Sequence, residues 1–278
     1  MNILKNNIRK KQIAIAKELD RICTKHNIQY FANGGTLIGC YRHSGFIPWD
    51  DDMDFLMTRA NFDKFLRVVK QELKEPYIFN SVFNNDIITN FVNRIIDTST
   101  TCIYSERDFN RVRNFDIPRG IFIDIFVFDS VPEDYEERCK YIEDLQLAKK
   151  AVLSNSNAYL DGIISYDDYI ENHKNLVMEY YYTCIKYNNL GSIISSDTSC
   201  LGFKHQAVWL DKWISKEAEK RIDFEDIKLP VPIEGKKCLD RLYPRWDKEF
   251  VQTHSRKWFF DTENSYVKYY SGELIPKW

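Results

Sequence analysis

The sequence predicts an α+β protein in which a mixed α/β half gives way to a mainly helical half near residue 130. Three observations carry this. Apolar residues recur at helical spacing near the N-terminus, as Ile8, Ile15, Leu19 and Ile22. Short runs of apolar, β-branched and aromatic residues, punctuated by Gly, Pro and Asn, then continue to about residue 128. Beyond residue 134 the patterns are mostly helical.

Residues 5–26 read as an amphipathic helix, which Asn27 is suited to stop in the left-handed conformation. A short strand at 28–32 ends in the turn Asn33-Gly34-Gly35-Thr36, and 37–41 then form a short apolar helix. Gly45 and Pro48 interrupt the chain before a strand at 52–57. Phe62, Phe65, Leu66, Val69 and Leu73 share one face of a second helix. Strand candidates follow at 77–79, 91–96, 101–104 and 121–128, then helical patterns at 134–153, 166–187 and 204–220. The tail is richer in Pro and aromatics. The organisation expected is a core over 1–130 and a C-terminal region over 131–278, as two units or one continuous domain.

With 278 residues, 44% of them hydrophobic, the chain can bury a sizeable core. Its formal net charge of −2 argues against a general nucleic-acid binder, whose footprint is strongly basic. The seven cysteines stand singly with no C-x-x-C pair, which offers no zinc ribbon or thioredoxin motif. Reduced thiols and a cytoplasmic setting are expected. No apolar run approaches the roughly 20 residues needed to span a bilayer, so no transmembrane segment is expected. Peripheral contact with the inner face of a membrane stays open.

The most informative stretch is Ile47-Pro48-Trp49-Asp50-Asp51-Asp52-Met53-Asp54-Phe55. Its carboxylates repel one another, and burying any of them unpaired is costly. A solvated turn is the bland reading, but the run leads straight into an apolar segment. If the chain is extended here, Asp50, Asp52 and Asp54 share one face at spacings of roughly 7 Å. They are then placed to hold a hard cation, Mg²⁺ or Mn²⁺, and Asp51 is the member expected to tolerate replacement. An EF-hand is excluded, because Phe55 stands where its sixth position needs Gly and Asn61 where its twelfth needs Glu.

Two further elements fit the same chemistry. At Gly34-Gly35-Thr36, glycines let backbone N–H groups approach an anion, a helix start adds its positive end, and the Thr36 hydroxyl can donate to a phosphate. An ordinary strand-to-helix turn is the alternative. Asp124 is the one charge within the apolar run 121–128, and reads as projecting toward the cation of Asp52 and Asp54 or as a hydrogen-bonded core carboxyl. Asp129, at the strand end, reads as a turn or cap residue. Arg42 and Arg94 are candidate phosphate ligands, with a salt bridge to the acidic cluster as the alternative for Arg42. His43 and Trp49 read as loop and pocket supports. Lys204, His205 and Trp209 sit where a helical half can close over a ligand, although a polar helix face explains them equally well.

Taken together, Gly34-Gly35-Thr36-Leu37-Ile38-Gly39, Arg42-His43 and Gly45-Phe46-Ile47-Pro48-Trp49-Asp50-Asp51-Asp52-Met53-Asp54 closely resemble the signature of the LicD family. Gly120-Ile121-Phe122-Ile123-Asp124-Ile125-Phe126 resembles the family's later acidic strand. A looser likeness continues through Phe224-Glu225, Val231-Pro232, Leu239 and Leu242-Tyr243-Pro244, where Pro replaces the family's usual Gly. The resemblance implies a nucleotidyltransferase-like mixed sheet with flanking helices. It also implies transfer of phosphocholine or a related phospho-substituent from a CDP-linked alcohol to a glycan of the cell surface, such as lipopolysaccharide or teichoic acid. On that reading Asp52, Asp54 and Asp124 are catalytic, and with Asp50 hold the metal. Gly34, Gly35, Thr36, Arg42 and Arg94 hold the donor phosphates, and Asp124 or Asp50 accepts the hydroxyl proton. Nucleotidyl transfer, an Asp-x-Asp glycosyltransferase and an idle binding module are the rival readings.

Overall fold

The computed structural model describes residues 3–84, 87–197, 208–214, 220–243, 245–248 and 258–278. The first half runs α1 (Ile3–Lys25), β1 (Phe31–Ala32), α2 (Gly34–Arg42), β2 (Asp54–Thr58), α3 (Arg59–Glu72), β3 (Tyr77–Asn80), β4 (Asn93–Asp97), β5 (Thr101–Ile103), α4 (Glu106–Val112) and β6 (Ile121–Ser130). The second runs α5 (Tyr135–Leu160), α6 (Tyr166–Ile185), β7 (Ile193–Ser196), β8 (Trp209–Leu210), β9 (Lys220–Phe224), β10 (Ile227–Val231), α7 (Gly235–Leu242), β11 (Phe259–Asp261) and α8 (Tyr266–Tyr270).

The sheet is organised around β6, whose nearly unbroken apolar sequence suits a strand covered on both faces. It pairs in parallel with β2, and β2 pairs antiparallel with β1. Along its other edge β6 pairs antiparallel with β4 and then with β7. The order is β1-β2-β6-β4-β3, extended by β7 and β8. Helices α1, α3 and α6 pack against β6, and α5 packs along α6. Asp134 and Ser165 cap α5 and α6 by accepting from the N–H groups of Glu137 and Asp168. The fold class is thus α+β, with a mixed sheet and a C-terminal half dominated by two long helices. Among the described residues, no helix is long and apolar enough to cross a membrane.

Several elements differ from expectation for identifiable reasons. Asn27 does take a left-handed φ of 51° after α1. The glycine turn is itself the first turn of α2, because the Leu37 N–H already reaches the Asn33 carbonyl at 3.0 Å. Residues 51–53 are not strand, since the carbonyls of Asp50 and Asp51 are taken by side chains of α1. Asp129 is no cap. It is buried inside β6 in a two-bond ion pair with Arg59, at 2.9 and 2.6 Å. Of the helix expected at 204–220, residues 204–207 and 215–219 lie outside the described residues, and with them Lys204 and His205. Residues 209–214 are β8 and a 3-10 turn, Lys220 opens β9, and Trp209 is a core residue stacked on Phe128 at 4.8 Å.

Candidate active site

Strand register sets the first geometry. Asp54 of β2 lies directly beside Asp124 of β6, and Arg94 of β4 lies on the other side of Asp124. Directly opposed residues share a face of the sheet, so two carboxylates and a guanidinium form one row. Asp52 joins from the loop before β2. One oxygen from each of Asp52, Asp54 and Asp124 lies within 4.8 Å of the others. Asp52 and Asp124 are buried and Asp54 is half-buried. Asp50 belongs to a second group, with Asp51 and Asp52, so strand alternation does not describe it.

Three carboxylates this close disfavour their shared ionisation unless positive charge stands near. Arg94 supplies part of it, through an ion pair to Asp124 at 2.7 Å. Burial works against the Arg94 charge, but Asp124 and Tyr104 outweigh it and hold the guanidinium above its ordinary value. Arg94 also donates to the Tyr104 hydroxyl and lies 3.8 Å over the Phe122 ring. Among the described residues, three carboxylates against one guanidinium leave the row negative. Hard oxygen donors of this kind fit a divalent cation such as Mg²⁺ or Mn²⁺.

The glycines of α2 allow that closeness. Gly34 has φ +50°, and a Cβ there would lie 3.0 Å from Asp54 Oδ2. A Cβ on Gly35 would collide with Asp50 Oδ2. The first N–H groups of a helix have no partner within it, so α2 opens toward the carboxylates with donors available to an anion. Thr36 braces the strand as well, its Oγ1 accepting the Asp54 N–H at 2.9 Å. Gly34→Ala is expected to lower stability by about 1–2 kcal/mol through the left-handed backbone. Gly35→Ala meets only the tip of a movable side chain and is expected to leave thermal melting nearly unchanged. Equal losses in the two melts would contradict this assignment.

The remaining sequence candidates fall around this centre. Arg42 donates from Nη1 to the carbonyls of Trp246 and Lys248, at 2.7 and 2.9 Å, and from Nε to the His43 ring at 2.9 Å. It therefore ties α2 to the tail, and its guanidinium sits 5.8 Å over the Trp49 ring. His43 ends α2, with its N–H on the Gly39 carbonyl.

Sequence reading missed two neighbours. Tyr243, just past α7, places its hydroxyl 3.5 Å from the point a Gly34 Cβ would occupy. Burial first, then the charges of Asp54, Asp50 and Asp52, push its phenol up to about 12, so it stays protonated and able to donate. Glu225 accepts the Phe46 N–H at 3.1 Å and occupies the space a side chain at Gly45 would need. Beside it Phe224 packs edge-on against Phe46 at 5.0 Å. Both residues stand in the tail segments noted above, the available signal, but only the fold brings them to the motif.

The segment that carries this site also matches known proteins. The LicD/FKTN/FKRP nucleotidyltransferase domain matches residues 27–163. A lipopolysaccharide cholinephosphotransferase LicD of Haemophilus influenzae is 35% identical over 133 residues, which cover 46% of each chain. An uncharacterized protein of Rickettsia typhi is 37% identical over 57 residues, 20% of this chain and 18% of its own. Another from Rickettsia prowazekii is 48% identical over 40 residues, 14% of this chain and 15% of its own. The chain thus matches less than half the length of each of these relatives. Through the domain that spans residues 27–163, the chain belongs to the LicD family.

Proposed function

We propose that this protein transfers phosphocholine, or a related phospho-substituent, from a CDP-linked alcohol to a hydroxyl of a glycan and releases CMP. The observation that carries the reading is the Asp52–Asp54–Asp124 cluster facing the glycine-opened start of α2. A cation site and an anion cradle side by side are what phosphoryl transfer needs. The cholinephosphotransferase name of the Haemophilus relative supports the choice of substituent and of a lipopolysaccharide-type acceptor.

In this reading the acceptor oxygen bonds to the distal phosphorus of the donor. The bond from that phosphorus to the bridging oxygen breaks, and CMP leaves with the electron pair. Asp52, Asp54 and Asp124 would hold Mg²⁺ or Mn²⁺, which when bound would neutralise charge on the phosphate oxygens. The N–H groups of Gly34, Gly35 and Thr36 orient the diphosphate, and Tyr243, whose hydroxyl lies beside Gly34, donates a further hydrogen bond. One oxygen of Asp124 is committed to Arg94, which leaves Asp50 as the acceptor of the hydroxyl proton. Arg42 and Arg94 hold the pocket walls, with remaining donors for the phosphates. His43 and Trp49 support the loop. Residues 1–130 act as the catalytic core and 131–278 complete the donor and acceptor pocket. The same proposal sets the reaction on the cytoplasmic side, at the inner face of the membrane.

The test uses the purified chain, Mg²⁺, a candidate acceptor glycan and CDP-choline labelled separately in the choline and in the cytidine. Choline label on the glycan, with release of CMP, is the expected result. Cytidine label on the glycan instead identifies nucleotidyl transfer. Absence of turnover with any CDP-alcohol would sink the proposal.

A further inference from the structure

Helix α1 lies outside the segment matched to the family, yet one face of it grips the acidic loop. Lys5, Arg9 and Gln12 fall at i, i+4 and i+7, which share a helix face. Lys5 Nζ donates to the Pro48 carbonyl at 2.9 Å. Arg9 Nη2 donates to the carbonyls of Ile47, Pro48 and Asp50, at 2.7, 3.2 and 2.9 Å. Gln12 Nε2 donates to the Asp51 carbonyl at 2.8 Å. A peptide group is a rigid plane, so holding the Asp50 and Asp51 carbonyls fixes the two planes that flank Asp51. The second of those planes carries the nitrogen and Cα of Asp52. Beyond Asp52 the sheet takes over, the Asp124 N–H donating to the Met53 carbonyl at 2.9 Å.

Gln12 is the informative member. It is 3% exposed, on the buried side of α1 with Ile8, Ile15 and Leu19. Among the described residues its Oε1 has no hydrogen-bond partner. A buried carboxamide satisfied at one end only is a poorer choice for the core than an apolar side chain of similar size. Stability of the fold does not account for Gln12, whereas its bond to the acidic loop does.

We infer that Arg9 and Gln12 are positioning residues for the carboxylate site. Acting through the Asp50 and Asp51 carbonyls, they set where Asp52 presents its oxygens to Asp54 and Asp124. This rests on reading those three carboxylates as a divalent-cation site. The test titrates the full chain with Mn²⁺, reads free Mn²⁺ by electron paramagnetic resonance, and melts the same samples. Gln12→Leu keeps bulk and burial but removes the donor. Its Mn²⁺ affinity is expected to fall about 10-fold, in the range seen for outer-shell partners, with an unchanged or higher melting temperature. Arg9→Met is expected to lose at least as much affinity, and Arg9→Lys to recover part of it. Wild-type affinity in both Gln12→Leu and Arg9→Met, with wild type itself binding, overturns the inference and leaves the proposed function standing. Losses of affinity that merely track losses of melting temperature overturn it as well. Failure of wild type to bind Mn²⁺ overturns both the inference and the cation site.

Discussion

Asp54→Asn is expected to abolish transfer while leaving the fold intact. Asp54 is the carboxylate that register places directly beside Asp124, and its oxygens lie in the same cluster as those of Asp52. Replacing it with the neutral isostere removes one of three oxygen donors and lowers the negative charge available to a cation. A loss of about a thousandfold in turnover, on the order of 4 kcal/mol of barrier, is the expected size. Stability is expected to hold or rise, because the change also removes repulsion among neighbouring carboxylates. Asp52→Asn follows the same logic. Asp51→Asn is the control. Its carboxylate groups with those of Asp50 and Asp52 and not with those of Asp54 and Asp124, and the bond its residue makes to α1 is through the carbonyl, which the substitution keeps. The measurements are turnover of a CDP-alcohol, Mn²⁺ affinity and thermal melting. Asp54→Asn with wild-type turnover, or Asp51→Asn as damaging as Asp54→Asn, would remove the triad from the mechanism.

How far the site was legible depended on the range of the interactions that build it. Asp124 could be picked out because a lone charge in an apolar strand has few explanations, and Asp54 because it opens such a strand. Their adjacency required knowing that β2 and β6 pair in parallel, which periodicity does not reveal. The same holds for Arg94. As a sequence feature it reads as a cation near a phosphate site, but the β4–β6 register sets it opposite Asp124, and the ion pair takes precedence. An assumed extended backbone groups Asp50 with Asp52 and Asp54. That assumption fails because Arg9 and Gln12, about forty positions earlier, capture the carbonyls a strand would have used. Tyr243 and Glu225 approach from roughly two hundred residues away in the chain. Helix-forming pattern was a good guide at α1, α5 and α6, where one apolar stripe decides the outcome. It misled at Trp209, whose burial comes from stacking on Phe128 rather than from a helix face.

Asp129→Ala is expected to be among the most destabilising single changes in the described structure, with no direct effect on the carboxylate site. Asp129 and Arg59 have side chains only 5% and 9% exposed and share two short hydrogen bonds. Asn188 adds a third contact, donating to Asp129 Oδ1 at 2.8 Å. Burial opposes the Arg59 charge, but the Asp129 hydrogen bond and charge outweigh it and hold the guanidinium above its ordinary value. Removing Asp129 leaves that charge buried among Phe62, Phe83 and Tyr181 without its counter-ion. Breaking a buried pair in this way typically costs about 3–5 kcal/mol. For a chain of this size that corresponds to a fall of roughly 6–15 °C in melting temperature. Replacing both partners, as Arg59→Met with Asp129→Leu, is expected to cost much less than the sum of the two single changes, because no charge is stranded. Four melting curves, for wild type, each single variant and the double, complete the cycle. Additive losses, or a fall of less than 2 °C for Asp129→Ala, would show that the pair does not anchor α3 and α6 against β6 as its burial and geometry require.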